Sequence, residues 1–515
     1  MSLLDTLVNV ITPPQDWQVF TGESVVLMFA LLAPLVALGN TDRKGMQQFA
    51  LIGLVGGFVI TLLTLLDWHY GRFSFQYIQW SAQSAANGHP VAAVYRVTYA
   101  SQLFKLLFLG VAAAAVIGMG RPLKGKPESE DHGEFYSLLL FATLGMMVVA
   151  SAQELIVLFL GIEMTSMSSY LLASFRRDRV GAEAGLKYFV IGAISSGMVL
   201  FAISLLYGMA GTTRIAGLAA ITTDGGFDAA SLVPIVLLLA GLGFKVSTVP
   251  FHAWAPDVYS GAPAPVAGVL AAASKAMGFL ALFQVFLVGL FNVKANWELA
   301  VALLAVGSMV VGNLVALQQQ NLRRMLAYSS IAQAGYLLIA LAVGTWYAVG
   351  GAIFHLMVNA AMKLGAFLIV GALLYAGVPD QLENVRGLGK RAPLLAFAMT
   401  VFLFSMAGLP PFGGFASKFV LFSSAIDAGT SQGLGWLVAL AIVAVVNSAI
   451  SLYYYLRVIR AMYVEAPADE TPITTGLGVK VAVLACLAAV LLMGLWAQPF
   501  VDASMKAARS LLGLA

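Results

Sequence analysis

Charged residues are scarce in this sequence. Asp, Glu, Lys and Arg make up 10% of its 515 residues, against about 25% in an average soluble protein. Hydrophobic residues account for 60%, and the mean hydropathy is +0.89. This composition excludes an ordinary soluble protein and predicts a polytopic membrane protein. The net charge of +4 is set by the loops, so it does not indicate nucleic acid binding.

Cysteine and the common cofactor-binding motifs are also missing or nearly so. The single cysteine, Cys486, excludes an internal disulfide or a cysteine-ligated cluster within the chain. There is no glycine-rich dinucleotide motif, Walker loop, Cys/His metal spacing or nucleophile elbow. We therefore expect no cofactor and no metal in this chain. No cleavable signal peptide is predicted, because Met1–Trp17 carries Asp5 and Asp16 in place of basic residues.

Long apolar runs are what the sequence does contain. A helix of about 18 or more apolar residues can cross a hydrocarbon core of ~30 Å. We predict fourteen such spans, from residues 21–39 to residues 476–497, with the least clear junction near Ser151 between the fourth and the fifth. The longest loop, Asp67–Val97, is expected to lie on the outer surface as part of an aromatic belt.

The basic residues of the loops predict an orientation. If the N-terminus lies outside, fifteen fall in inner loops: Arg43, Lys44, Arg121, Lys124, Lys126, Arg176, Arg177, Arg179, Arg323, Arg324, Arg386, Lys390, Arg391, Arg457 and Arg460. Six fall in outer loops: Arg72, Arg96, Arg214, Lys294, Lys506 and Arg509. Because inner loops of membrane proteins are enriched in Lys and Arg, both termini are predicted to lie outside.

Two of the apolar runs are interrupted beside a lysine. In the seventh run, Pro250 follows Lys245 by five residues and removes a backbone donor. In the twelfth, Ser405–Lys418 contains two adjacent prolines and two adjacent glycines. We predict helix breaks near Ser247–Phe251 and Leu409–Gly414. Irregular backbone at membrane depth needs protein or water around it, so polar partners are expected at both.

The five-span separation of the breaks predicts an internal repeat. An odd number of spans inverts the second copy in the membrane, as in many transporters. We therefore predict an all-α fold with two inverted five-helix repeats, helices 4–8 and 9–13, and broken helices 7 and 12. The chain divides accordingly into residues 1–134 with helices 1–3, 135–291 and 292–462 with the two repeats, and 463–515 with helix 14 and a tail.

Six lysines fall inside predicted spans: Lys105, Lys187, Lys245, Lys275, Lys363 and Lys418. A charged side chain at bilayer depth costs roughly 2.5–3.5 kcal/mol on insertion scales, so each needs a reason. Lys105 lies near a span end and is expected to snorkel, and Glu23 is expected at the interface. Glu163 lies eleven residues into the fifth span, and Glu154 lies near the outer end of that span. One buried lysine could simply occupy a satisfied polar pocket, but several together favour a function.

These groups could carry protons. Desolvation pushes a buried lysine toward neutrality and a nearby carboxylate pushes it toward charge, so a moving partner can load or release a proton. Glu163 and Lys245 are predicted to form such a pair. His355 lies eight residues before Lys363 on roughly the same helical side and is a further relay candidate. The predicted relay near mid-membrane depth consists of Glu163, Lys187, Lys245, Lys275, His355, Lys363 and Lys418. Helix-end roles are expected for His252, Tyr453–Tyr455 and Arg457.

Six stretches carry a family resemblance. They are LFLGIEMTSMSSYLL (Leu158–Leu172), EAGLKYFVIGAISS (Glu183–Ser196), GFKVSTVPFHAWAPDVYSGAPAPV (Gly243–Val266), SKAMGF (Ser274–Phe279), NLRRMLAYSSIAQAGY (Asn321–Tyr336) and AGLPPFGGFASKF (Ala407–Phe419). Through them the chain resembles the N-type (subunit 2) antiporter-like membrane subunit of the complex I family of NADH:quinone oxidoreductases. The third and last stretches are highly specific to this superfamily.

The resemblance implies a fourteen-helix proton-translocating subunit in the membrane arm of an enzyme complex. Oxidation of NAD(P)H or ferredoxin and reduction of quinone would occur in other subunits, which would hold the flavin and Fe–S clusters. Expected partners are membrane-arm subunits, including neighbouring antiporter-like subunits, and lipids, with quinone involved only indirectly. The expected location is a bacterial inner membrane, with thylakoid and mitochondrial inner membranes as alternatives.

The resemblance also assigns residues. It matches Glu163 to the buried glutamate of the fifth helix, and Lys187, Lys245, Lys275 and Lys418 to the basic residues of helices six, seven, eight and twelve. Lys363 departs from the pattern, because N-type subunits usually have a neutral residue there. M-type subunits and sodium/proton antiporter relatives favour a basic residue with a nearby histidine.

Other functions stay open at this point. A subunit of a multisubunit Na⁺/H⁺ antiporter or of a membrane-bound hydrogenase would use the same fold and lysine row. A stand-alone solute carrier would need a substrate-sized pocket of diverse polar residues, whereas the buried polar residues here are mostly lysines on separate helices. A purely structural scaffold does not account for two broken helices that each carry a lysine.

Overall fold

The computed structural model describes residues 20–39, 43–70, 94–119, 132–176, 178–221, 231–467 and 470–514. In these residues the chain is helical, with β-structure limited to isolated bridges. The N-terminal segment 1–17 and most of the predicted outer loop 67–97 lie outside the described residues.

The long helices follow the predicted spans closely. They are α1 (Thr21–Leu38), α2 (Arg43–Tyr70), α3 (Tyr99–Ile117), α4 (His132–Ser151), α5 (Leu155–Ser174), α6 (Arg179–Ala210), α7a (Leu232–Val246), α7b (Trp254–Gly261), α8 (Ala264–Gly289), α9 (Glu298–Gln318), α10 (Leu322–Val343), α11 (Trp346–Tyr375), α12a (Pro393–Ala407), α12b (Gly413–Ser431), α13 (Gly435–Tyr463), α14 (Leu477–Leu495) and α15 (Gln498–Leu511). Within the described ranges, twelve of them are long and apolar enough to cross a membrane. The two-piece helices α7 and α12 bring the count to the predicted fourteen.

The break in helix 7 is confirmed. Helix α7a ends at Val246, and Ser247 adopts a left-handed conformation with φ +61°. The indole Nε1 of Trp254 donates to the carbonyl oxygen of Phe244 at 3.0 Å, so Trp254 rather than His252 caps this helix end. The backbone N–H of Val249 donates to a serine hydroxyl of α9 at 2.9 Å. Polar partners are therefore present at this break, as predicted.

The break in helix 12 is also confirmed. Helix α12a ends at Ala407, and Gly408 has φ +87°. The backbone N–H of Gly414 donates to the Ser405 hydroxyl at 3.0 Å. A Cβ atom on Gly414 would lie 1.7 Å from the Ser405 carbonyl oxygen, so the close approach of α12a and α12b requires glycine.

Helices α8, α10 and α11 form the buried centre of the molecule. In the most apolar membrane-length stretch of each helix, 89% to 100% of the residues are buried, whereas at most 33% are buried in the same stretch of α1, α2 and α6. A helix that is apolar around its whole circumference is expected inside a bundle. Helix α8 contains two π-helical segments, Leu270–Ser274 immediately before Lys275 and Phe283–Gly289. Single π-turns inside helices are often found at functional sites.

The last helix was not expected from the sequence, which predicted only a tail after helix 14. Helix α15 is amphipathic and packs on α3 and α11. The ammonium of Lys506 lies 4.5 Å from the ring centre of Tyr99, and the guanidinium of Arg509 lies 4.2 Å from that of Trp346. These cation–π contacts fix α15 against the ends of both helices.

Candidate functional site

Helix α10 contacts the buried basic groups of three neighbouring helices. From α8, the ammonium of Lys275 donates to the backbone carbonyl of Ser330 at 2.7 Å. From α11, Lys363 donates to the carbonyl of Leu326 at 3.0 Å and to the hydroxyl of Ser329. Both lysines are at most 1% exposed. Two predicted relay residues therefore reach successive turns of one helix.

His355 reaches the same helix one turn further along. Its Nε2 lies 2.9 Å from Oε1 of Gln333, and its Nδ1 lies 2.9 Å from the hydroxyl of Ser417. The amide N–H of Gln333 donates to the carbonyl of Met406 at 3.1 Å, which leaves its oxygen to face the imidazole. Nε2 therefore donates and Nδ1 accepts from Ser417 when His355 is neutral.

Lys418 links this group to the end of α12a. It donates to the carbonyl of Met406 at 2.7 Å, to that of Ala407 at 3.3 Å and to the hydroxyl of Ser448 at 2.8 Å. Its ammonium also lies 4.7 Å from the ring centre of Tyr336 on α10. A cation at the C-terminal end of a helix interacts favourably with the helix dipole. These contacts surround the ammonium of Lys418 with protein groups.

Glu163 and Lys245 line a small cavity in the first half of the chain. Lys245 donates to the hydroxyl of Ser166 at 2.9 Å, and Glu163 accepts from the hydroxyl of Ser196 at 2.5 Å. Both serines and the ring of Tyr170 also line this cavity. The two residues do not form a direct ion pair in this conformation, because each is hydrogen-bonded to a serine instead. Their role as an electrostatic pair stays a prediction.

Lys245 packs close to the helix that carries Lys275. A Cβ atom on Gly278 would lie 3.3 Å from Cγ of Lys245, so this glycine allows the lysine stem to lie against α8. Near the end of α7a and on α10, the hydroxyls of Ser247 and Ser330 are buried and have no hydrogen-bond partner among the described residues.

Lys187 is placed apart from the buried groups. Its side chain is 43% exposed, whereas the five other basic relay candidates are at most 4% exposed. Its ammonium forms ion pairs of 2.8 Å with Glu183 and with Asp257 of α7b. Asp257 also accepts from Arg324 of α10 at 2.7 Å. The Asp257 carboxylate is therefore shared between two cations of different helices.

The expectation that Lys105 snorkels to water is wrong. Its ammonium is buried and forms an ion pair of 2.6 Å with Glu23, which is also buried. The position of Glu23 at the membrane interface stays a prediction. The Tyr95 hydroxyl also donates to Glu23 at 2.5 Å. Apolar sequence around each residue gave no indication that α1 and α3 would bring the two charges together.

Sequence reasoning also missed the neutral polar residues of the site. Ser329, Ser330 and Gln333 lie within the stretch NLRRMLAYSSIAQAGY, which was used only to identify the family. Near Lys418, the Asn313 amide donates to the side chain of Asn447, and its oxygen accepts from Tyr454. Clustered Ser, Gln and Asn in an otherwise apolar helix are the signal that could have revealed them.

Two expectations for helix ends are met in part. Arg457 donates to the carbonyls of Leu317, at 2.9 Å, and Gln319, at the C-terminal end of α9. Tyr454 and Tyr455 are fully buried, while Tyr453 is 65% exposed.

Comparison with known proteins decides the family. The sequence model described as "NADH:quinone oxidoreductase/Mrp antiporter, TM" matches residues 152–451, which is more than half of the chain. The chain belongs to this family. It is 45% identical to the F(420)H(2) dehydrogenase subunit N of Methanosarcina mazei over 97% of this chain and 98% of that protein. It is 38% identical to the NADH-quinone oxidoreductase subunit N of Desulforamulus reducens over 96% and 99%.

A solved member of the NADH:quinone oxidoreductase/Mrp antiporter family has the same architecture. A chain of the respiratory complex I from Thermus thermophilus with bound aureothin superposes with a TM-score of 0.74 at 32% identity, covering 94% of this chain and 99% of that chain. The resemblance to N-type antiporter-like complex I subunits is confirmed, and with it an integral membrane protein that belongs to a multisubunit assembly.

Proposed function

We propose that this chain is a proton-translocating membrane-arm subunit of a complex I-type oxidoreductase, driven by redox chemistry in other subunits. The observation that carries the proposal is the convergence on α10 of four buried titratable groups: Lys275, His355, Lys363 and Lys418. None of the four is paired with a carboxylate of the described residues. Burying several basic groups in this way is costly, so a purely structural role does not account for them.

The partners of these lysines suit proton transfer. Lys245, Lys363 and Lys418 each donate to a serine hydroxyl, respectively Ser166, Ser329 and Ser448. A hydroxyl group both donates and accepts, so it can remain hydrogen-bonded to an ammonium or to a neutral amine. Each lysine can therefore change its protonation state without leaving a buried polar group unpaired.

His355 can exchange protons between the groups around Lys363 and Lys418. When His355 is neutral, the Ser417 hydroxyl donates to its Nδ1. After Nδ1 gains a proton, the same hydroxyl would accept from it and donate instead to the carbonyl of Gly414, which lies 3.3 Å away. Reorienting one hydroxyl thus accommodates both states of the imidazole.

The finer assignments follow from the family. We propose neighbouring antiporter-like subunits and lipids as partners, and a bacterial inner membrane as the location. Flavin and Fe–S clusters would lie in partner subunits, which also determine whether the electron donor is NAD(P)H, ferredoxin or, as the name of the Methanosarcina relative suggests, F420H2. Quinone would be reduced outside this chain.

The test uses the native complex, isolated through an affinity tag on this subunit and identified by mass spectrometry. The purified complex is reconstituted into liposomes together with a pH-sensitive dye. When its electron donor and a soluble quinone are added, it should move protons across the liposome membrane and so acidify either the lumen or the outside. Lys275→Ala should lower proton translocation roughly tenfold or more. Lys294→Gln is the matched control, since Lys294 pairs with Glu298 near a helix start and contacts none of the relay residues described.

Two outcomes would count against the proposal. Recovery of the chain with antiporter subunits only, together with Na⁺-dependent proton movement in the absence of an electron donor, would favour the alternative of a multisubunit Na⁺/H⁺ antiporter. Wild-type proton translocation by an assembled Lys275→Ala complex would contradict the proposed relay.

A further inference from the structure

The charged cluster around Asp257 connects three helices, α6, α7b and α10. Asp257 lies on α7b, the short helix that follows the break after Lys245. Its Oδ2 accepts from Lys187 of α6 at 2.8 Å, and its Oδ1 accepts from Arg324 at 2.7 Å. One carboxylate is therefore shared between the first repeat and the start of α10.

The start of α10 holds α7b at a second point. Arg323 donates to the carbonyl of Ala262, directly after α7b, at 3.2 Å, and forms an ion pair of 2.5 Å with Asp380. The side chain of Asn321 accepts from the backbone N–H of Arg324 and so caps α10. The first turn of α10 and α7b are thus fastened to one another by both arginines.

The other end of this connection is the relay. Through Leu326, Ser329, Ser330 and Gln333, successive turns of α10 bind Lys363, Lys275 and His355. A displacement of α10 would change the hydrogen-bond partners of these groups together, because packed helices move as units.

We propose that Asp257 is a positioning residue that couples Lys187 and the broken helix 7 to α10. When Lys187 is charged, Asp257 is shared between two cations, and α7b is held between α6 and α10. Loss or displacement of the Lys187 charge leaves the carboxylate to Arg324 alone, and the tie to α6 is released. This gives Lys187 a role that suits its exposed position: it changes how α7b is held, and it need not pass a proton to the buried lysines. The inference rests on the proposed proton-translocating function.

The test is a double-mutant cycle on the native complex in liposomes. Asp257→Asn and Arg324→Gln should each reduce proton translocation per electron transferred, by about fivefold or more, with normal amounts of the subunit in the complex. The double variant should be no worse than the more impaired single variant, because both remove the same connection. Arg324→Lys should recover part of the loss, since it keeps a charge beside Asp257.

Glu183→Gln is the matched control. It removes the other partner of Lys187 on its own helix but leaves the connection to α10, so translocation should stay near wild type. The inference is overturned if the losses of the two single variants multiply in the double variant, or if Arg324→Gln has wild-type coupling. These results differ from failure of the proposed function, in which the wild-type complex does not translocate protons or Lys275→Ala has no effect.

Discussion

Glu163 and Lys245 face the same small cavity, yet each is hydrogen-bonded to a different serine. Lys245 has the neutral hydroxyl of Ser166 as its partner, while the Glu163 carboxylate is held by Ser196 on α6. The sequence predicts that the two act as an electrostatic pair that opens and closes during turnover. The structure shows the separated arrangement, so a cycle that alternates between separation and pairing would have this conformation as one of its two states.

The first prediction concerns the charge of Glu163. Glu163→Gln should lower proton translocation roughly tenfold or more while the complex assembles, because the carboxylate that favours reloading of Lys245 is lost. Glu163→Asp should be milder, since the charge survives at a shorter reach. The measurement is the ratio of protons moved to quinone reduced in liposomes. Wild-type coupling in an assembled Glu163→Gln complex would contradict the switch between Glu163 and Lys245.

The second prediction concerns the break in helix 12. Gly414→Ala should prevent correct packing of α12b on α12a, because the added Cβ would overlap the Ser405 carbonyl oxygen. We expect the variant subunit to be largely absent from purified complex. Gly435→Ala is the control, since Gly435 lies at the start of α13 and a Cβ there would meet no atom of the described residues within 4 Å. Equal recovery of the two variants would show that the break tolerates a side chain at residue 414.

The third prediction concerns the buried pair of Glu23 and Lys105. Removing one partner of a buried ion pair leaves an uncompensated charge and typically costs about 3–5 kcal/mol. Lys105→Met and Glu23→Leu should therefore each reduce the thermal stability of the solubilised complex or the retention of this subunit. The double variant should recover most of the loss, because two apolar side chains replace both charges. If the double variant loses as much as the two single variants combined, the pair is not the source of the effect.

Much of the fold could be predicted from the sequence because its signals are local. Long apolar runs gave the fourteen helices, and adjacent prolines or glycines marked both breaks to within a few residues. Helix α15 was missed because its apolar residues form one face of a short helix, which a search for long apolar runs does not detect. The π-helical segments of α8 were also missed, since no amino-acid composition distinguishes them from the rest of an apolar helix.

The site could be predicted only for residues whose charge makes them unusual in a membrane. Lys275, His355, Lys363 and Lys418 were identified in this way. Their partners were not, because a serine or a backbone carbonyl in an apolar helix does not stand out until the packing is known. The same limit explains Lys187 and Lys105: sequence position placed both inside spans, but neighbouring helices left the first exposed and buried the second.

The last prediction concerns Ser417, whose hydroxyl lies 2.9 Å from Nδ1 of His355 and 3.3 Å from the carbonyl of Gly414. If this hydroxyl reorients when His355 changes its protonation state, Ser417→Ala should slow proton translocation, because Nδ1 loses its donor in the neutral form and its acceptor in the charged form. Ser417→Thr keeps a hydroxyl and should retain more activity. A residue that only fills space would give the opposite order, since alanine fits the site more easily than threonine. Measuring translocation and assembly for both variants decides between the two: lower activity in the threonine variant than in the alanine variant, at equal assembly, would exclude a hydroxyl switch at Ser417.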